Sequence, residues 1–108
     1  MYRISKISLN GTSLKGYVIL SYKQLYEHFG EPNAQQSLDG KVSTCWVFNG
    51  PDNECVTLYD YKETNLYSRE LPSVDDFRNQ PIYEWHVGAR TKAEADAFIS
   101  WLKNEIKG

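Results

Sequence analysis

Two neighbouring runs, Lys41 to Asn49 and Glu54 to Tyr61, carry strand-type residues whose side chains sort by parity, because successive residues of a strand point to opposite faces. Gly50-Pro51-Asp52-Asn53 lies between them as a turn, so the pattern predicts a central hairpin. If that four-residue loop pairs Asn49 with Glu54, Cys45 faces Leu58 and Val47 faces Val56 on a small aliphatic side. Trp46 then stands opposite Thr57 and Phe48 opposite Cys55 on the other side, with Tyr59 and Tyr61 beyond. A sheet one layer deep needs only one apolar face for its core. The aromatic face is therefore expected to be covered by a second layer, buried in a partner, or used for binding.

The other elements follow from the same kind of reading. Tyr2, Ile4, Ile7 and Leu9 mark a short strand, Asn10 to Ser13 a turn, and Gly16 to Leu20 a second strand, together an N-terminal hairpin. Ser21 with Gln24 forms a capping box ahead of Tyr22, Leu25, Tyr26 and Phe29, which share one helical face; Gly30 and Pro32 end that helix. Glu31 to Gly40 reads as loop. Lys62 to Pro81 is a long segment with two prolines, yet Leu66, Tyr67, Leu71, Val74 and Phe77 suit an ordered flap, and Ser73 to Phe77 suits one helical turn. Ile82 to Ala89 is a strand with Tyr83, Trp85 and Val87 on one side and Glu84 and His86 on the other. Thr91 and Glu94 open the longest helix, whose stripe is Ala95, Phe98, Ile99, Leu102 and Ile106, with Trp101 at its border to seal the sheet edge. Residues 1–108 thus make a single α+β domain: an antiparallel sheet of about five strands in the order β-β-α-β-β-loop-β-α, with two helices packed on one face.

Composition changes this picture in three places. Aromatic residues make up 14% of the chain, including eight Tyr and three Trp, a proportion suited to strands and to flat binding surfaces. The net charge of −2 argues against affinity for a nucleic-acid backbone, so long nucleic acid is not an expected partner. Arg3, Lys6, Lys15 and Lys23 nevertheless face no acid within residues 1–23, which allows a local basic patch near the N-terminal strands but better suits solvated strand edges. The expected register puts Cys45 and Cys55 on opposite faces, where they cannot bridge, so both are expected as reduced, buried thiols. Tyr2 to Asn10 alternates and lacks the apolar run of a signal peptide, and no stretch is long enough to span a bilayer. The expectation is a soluble protein of the cytoplasm.

Candidate chemistry is sparse. Asp60 and His86 would form an acid–base pair, or a structural hydrogen bond, if their strands are neighbours. Ser43, Thr57 and Cys55 show no nucleophile spacing, His28 sits at a helix end, and two His with two Cys make no metal cluster. No catalytic residue, metal or cofactor is assigned, and the chain is expected not to be an enzyme. Binding has more behind it. Trp46, Phe48, Tyr59 and Tyr61 would form a stacking platform, with the 62–81 segment closing over it, Lys62 or Arg69 available to phosphates, and Trp85 and His86 from the last strand completing the set.

Four pieces, Phe29-Gly30-Glu31-Pro32, Trp46 on its strand, Thr57 to Lys62 with its Y-D-Y-K, and Trp85-His86-Val87-Gly88-Ala89, resemble a family of small proteins of bacteriophages and large DNA viruses. The resemblance spans residues 25 to 105, and Ala89 departs from the second Gly of the W-H-[VI]-G piece. It implies a viral accessory protein in the host cytosol and transfers no catalytic residue. Small phage proteins of this size often counter host defence, by analogy. The expectation is inhibition of a host protein by binding. The alternatives are sequestration of a small nucleotide-like ligand in a homodimer that shares the aromatic faces, and a small hydrolase using His86 and Asp60.

Overall fold

A computed structural model describes residues 2–4, 11–34 and 36–107. The elements are β1 (Arg3–Ile4), β2 (Ser13–Leu20), α1 (Tyr22–Phe29), β3 (Cys45–Asn49), β4 (Cys55–Tyr59), α2 (Val74–Arg78), β5 (Tyr83–Ala89) and α3 (Lys92–Lys107). All strand pairs are antiparallel, in the order β1-β3-β4-β5-β2, which makes an α+β fold. Among the described residues β1 and β2 do not form the expected N-terminal hairpin. They lie at opposite edges, β1 against β3 and β2 against β5. Ile7, Leu9 and Asn10 of that expectation lie outside the described residues.

The central hairpin forms, but its register is one residue off the expected one. Asn49 pairs with Cys55, not Glu54. Glu54 belongs to the loop: its carbonyl accepts from Gly50 N at 3.0 Å and from Asn49 Nδ2 at 3.1 Å, and its carboxylate accepts from Asp52 N at 2.7 Å. Asn53 takes the left-handed backbone that this five-residue loop requires, at φ 63°. A one-residue slip moves every side chain of a strand to the other face. Trp46 therefore stands opposite Leu58 and Phe48 opposite Val56, while Cys45 pairs with Tyr59 and Val47 with Thr57.

That register assembles one thick core. Trp46, Phe48, Val56, Leu58, Trp85, Val87, Val18 and Leu20 form the helix-covered face, packed by Leu25 of α1 and by Ala95, Phe98 and Leu102 of α3. The α1 capping box is complete: Ser21 Oγ accepts from Gln24 N and Gln24 Oε1 accepts from Ser21 N. The helix stripes read from the sequence face inward, except that Tyr26 is exposed. Trp101 seals the β1 edge, with its ring 5.1 Å from Tyr2 and 6.5 Å from Phe48.

The 62–81 segment is ordered and carries the expected turn as α2, capped by Ser73 Oγ accepting from Asp76 N. It folds down at one end of the sheet. Phe77 is buried against Tyr83 and Trp85, and the Arg78 guanidinium lies 4.9 Å above the Tyr22 ring. Gly40, at φ 76°, lets the preceding turn approach this segment, since a Cβ there would collide with the Leu66 carbonyl. Among the described residues no helix is long and apolar enough to cross a membrane.

Candidate functional site

The sheet face opposite the helices is only half covered. Over β3 it is closed by residues ahead of that strand: Ala34 and Val42 pack on Cys45, Val47 and Cys55. Asn33 caps the β3 edge beyond β1, its Oδ1 accepting from Val47 N at 2.8 Å and its Nδ2 donating to Val47 O at 3.3 Å. On β4 the cover extends over Cys55 and Thr57, whereas Tyr59 and His86 are only partly covered and Tyr17 and Ile19 of β2 are exposed. Parity brings Tyr59 of β4, His86 of β5 and Tyr17 of β2 into one row, because Tyr59 pairs with His86 and His86 with Tyr17.

His86 is the centre of this row. Its ring lies 5.3 Å from Tyr59, stacked, 5.2 Å from Tyr17 and 6.0 Å from Tyr61. Its Nδ1 stands 3.5 Å from the Tyr83 hydroxyl, which donates to Glu63 at 3.2 Å. Tyr17 is 49% exposed, Ile19 58% and Tyr61 39%, so the row continues into solvent as an apolar and aromatic strip. Lys62 sits at its rim, the ammonium 5.2 Å above Tyr61 and 5.3 Å above Tyr67.

The expected platform is corrected by this geometry. Trp46, Phe48 and Trp85 have no exposure and belong to the core, because the hairpin slip and the parity of β5 turn them toward the helices. Their indole N–H groups are satisfied internally, Trp46 Nε1 donating to Gly30 O and Trp85 Nε1 to Leu20 O. Tyr59, Tyr61, Lys62 and His86 do come together. Arg69 is exposed in the 62–81 segment, and among the described residues no contact joins it to the strip. The segment itself closes the sheet end and packs on Gly40; it does not lie over a platform of Trp46 and Phe48.

Nor do Asp60 and His86 pair. Asp60 is fully buried and accepts from Ser43 N at 2.8 Å, Thr44 N at 2.7 Å and Ser43 Oγ at 2.6 Å. That carboxylate is occupied in holding the chain ahead of β3. Cys45 and Cys55 are free and lie on the same face, not on opposite ones. Burial, with Asp60 and Cys55 adding, pushes the Cys45 thiol up to about 12, so it is a neutral thiol at neutral pH and a poor nucleophile. Burial also raises the Tyr59 phenol, helped by Cys45, Tyr17 and Tyr61. Among the described residues no group of three His, Cys, Asp or Glu could hold a metal.

Sequence reasoning missed Tyr17 and Ile19. The signal was present in Gly16 to Leu20, where Tyr17 and Ile19 share one parity and Val18 and Leu20 the other. No protein-family model matches this chain, and no curated protein does.

Proposed function

We propose that this chain is a non-enzymatic binding protein of a virus that inhibits a host protein through the open half of its sheet. The observation that carries this reading is the exposure of Tyr17, Ile19 and Tyr61 beside the partly buried Tyr59 and His86. Tyr17 and Ile19 exposed on the edge strand β2, with His86 beside Tyr17 and Tyr61, and Lys62 over the Tyr61 ring, have the composition of a binding hot spot. The viral setting rests on the Y-D-Y-K and W-H-V-G resemblance alone. Catalysis has no comparable support, since Asp60 is committed to Ser43 and Thr44 and the Cys45 thiol is neutral.

The test is affinity capture from a lysate of the host bacterium, read by native mass spectrometry. The wild-type chain is expected to retain one host protein stoichiometrically, and Tyr17→Ala combined with Ile19→Ala to lose it while keeping its melting temperature. Equal retention by that variant would refute the placement of the interface.

A further inference from the structure

Beside the strip, and separated from it by Tyr59, a cavity of about 280 Å³ opens between Ala34, Ser37 and Val42 on one side and the start of β2 on the other. Its floor is the cross-strand pair Thr57 and Gly88, and its walls are Tyr59, Cys45, Val42 and Ser13. Three features decide what it suits. None of its described lining residues is an Asp, Glu, Lys or Arg, so nothing there neutralises a phosphate. A dry cavity of about 150 Å³ holds benzene, so this one has room for a bicyclic ring. Thr57 is only 4% exposed, yet its hydroxyl has no hydrogen-bond partner among the described residues.

That hydroxyl faces open space because position 88 is glycine. A Cβ at Gly88 would stand 2.5 Å from Thr57 Oγ1 and close the floor. The residue is nearly buried but its hydroxyl is open to the cavity, and as both donor and acceptor it can meet the mixed polar edge of a heterocycle. Tyr59 offers the adjoining aromatic wall.

From this geometry we propose that the pocket binds an uncharged planar heterocycle of the nucleobase class, packed on Tyr59 with its polar edge on Thr57 Oγ1. A phosphate attached to such a ligand lies outside and adds no affinity. The site shares only Tyr59 with the proposed protein-binding strip, and Thr57 variants test it independently.

The experiment is titration of the ¹⁵N-labelled protein with adenine, adenosine, AMP and indole, followed by amide shifts. Adenine and adenosine are expected to move the amides of Thr57, Gly88 and Cys45, AMP to bind no tighter than adenosine, and indole to bind more weakly than adenine. Loss of one neutral hydrogen bond makes Thr57→Val bind adenine about fivefold more weakly, and Thr57→Ser restores the affinity. Gly88→Ala removes binding; if that variant does not fold, the two Thr57 variants decide alone. The proposal is overturned if none of the four probes shifts these amides at millimolar concentration. It is equally overturned if Thr57→Val binds adenine like the wild type, if indole matches adenine, or if AMP binds tenfold tighter than adenosine.

Discussion

Asp60 accepts three hydrogen bonds from two consecutive residues, and this one carboxylate fixes how the 31–44 segment enters β3. The network runs on through Thr44, whose Oγ1 accepts from Arg78 Nε at 3.2 Å, tying α2 to the same corner. Hydrogen bonds to a buried charge are worth about 1.5–3 kcal/mol each, and stranded amides add their own penalty. Asp60→Ala is therefore expected to lower unfolding stability by about 3 kcal/mol in urea titrations. Asp60→Asn keeps one acceptor for the two amides and should cost about half as much. None of this was legible in the sequence. The partners of Asp60 lie 16 and 17 residues earlier in a segment with no periodicity, whereas His86 on a strand looked like a natural mate.

At the scale of elements, legibility follows the strength of the local signal. Ser21 with Gln24 and the stripes of α1 and α3 were readable because capping chemistry and a 3.6-residue period are both local. The central hairpin was readable as a hairpin but not in register, since Glu54 entering the loop depends on side-chain bonds to the turn that no alternation pattern reveals. That single residue decided whether Trp46 and Phe48 share their face with Leu58 and Val56 or with Thr57 and Cys55. Trp46→Ala is accordingly expected to cost about 4 kcal/mol and to lose the cooperative thermal transition, the outcome for a core residue. The 62–81 segment depends on Phe77 in the same way. Phe77→Ala should cost about 3–4 kcal/mol and make that segment the first site of limited proteolysis, read by mass spectrometry of the fragments.

For the molecule as a whole, burial of titratable side chains between the layers sets the pH response of stability. The core side half-buries Tyr83, whose phenol is raised by burial and by Glu63; Tyr2 and Tyr22 are raised chiefly by burial as well. With Cys45 raised from an ordinary 9.0 to about 12, the folded state holds protons that the unfolded chain releases first. Stability from these groups is complete below pH 9 and is lost as pH rises toward 12, because there the unfolded state binds fewer protons. Urea midpoints should be flat from pH 7 to 8.5 and fall steadily from pH 9.5 to 11. A midpoint that held steady over that upper range would contradict the burial of these groups. The alternation of Tyr17 and Ile19 against Val18 and Leu20 made the open face legible in principle, but which strand lies at an edge is a property of topology, not of any one segment.

The strand order carries a cost in time. Leu20 and Trp85, joined across the β2–β5 pair, are 65 residues apart in the chain. While β3 and β4 can close on each other across a five-residue loop, β2 has no partner until β5 exists. On a growing or refolding chain, Tyr17-Val18-Ile19-Leu20 is thus an unpaired apolar β-segment throughout the interval in which the hairpin and α1 can already form. Pulse-labelled hydrogen exchange during refolding should find the amides of β3 and β4 protected first and those of β2 last, and that delay is the period in which the chain is most prone to aggregate.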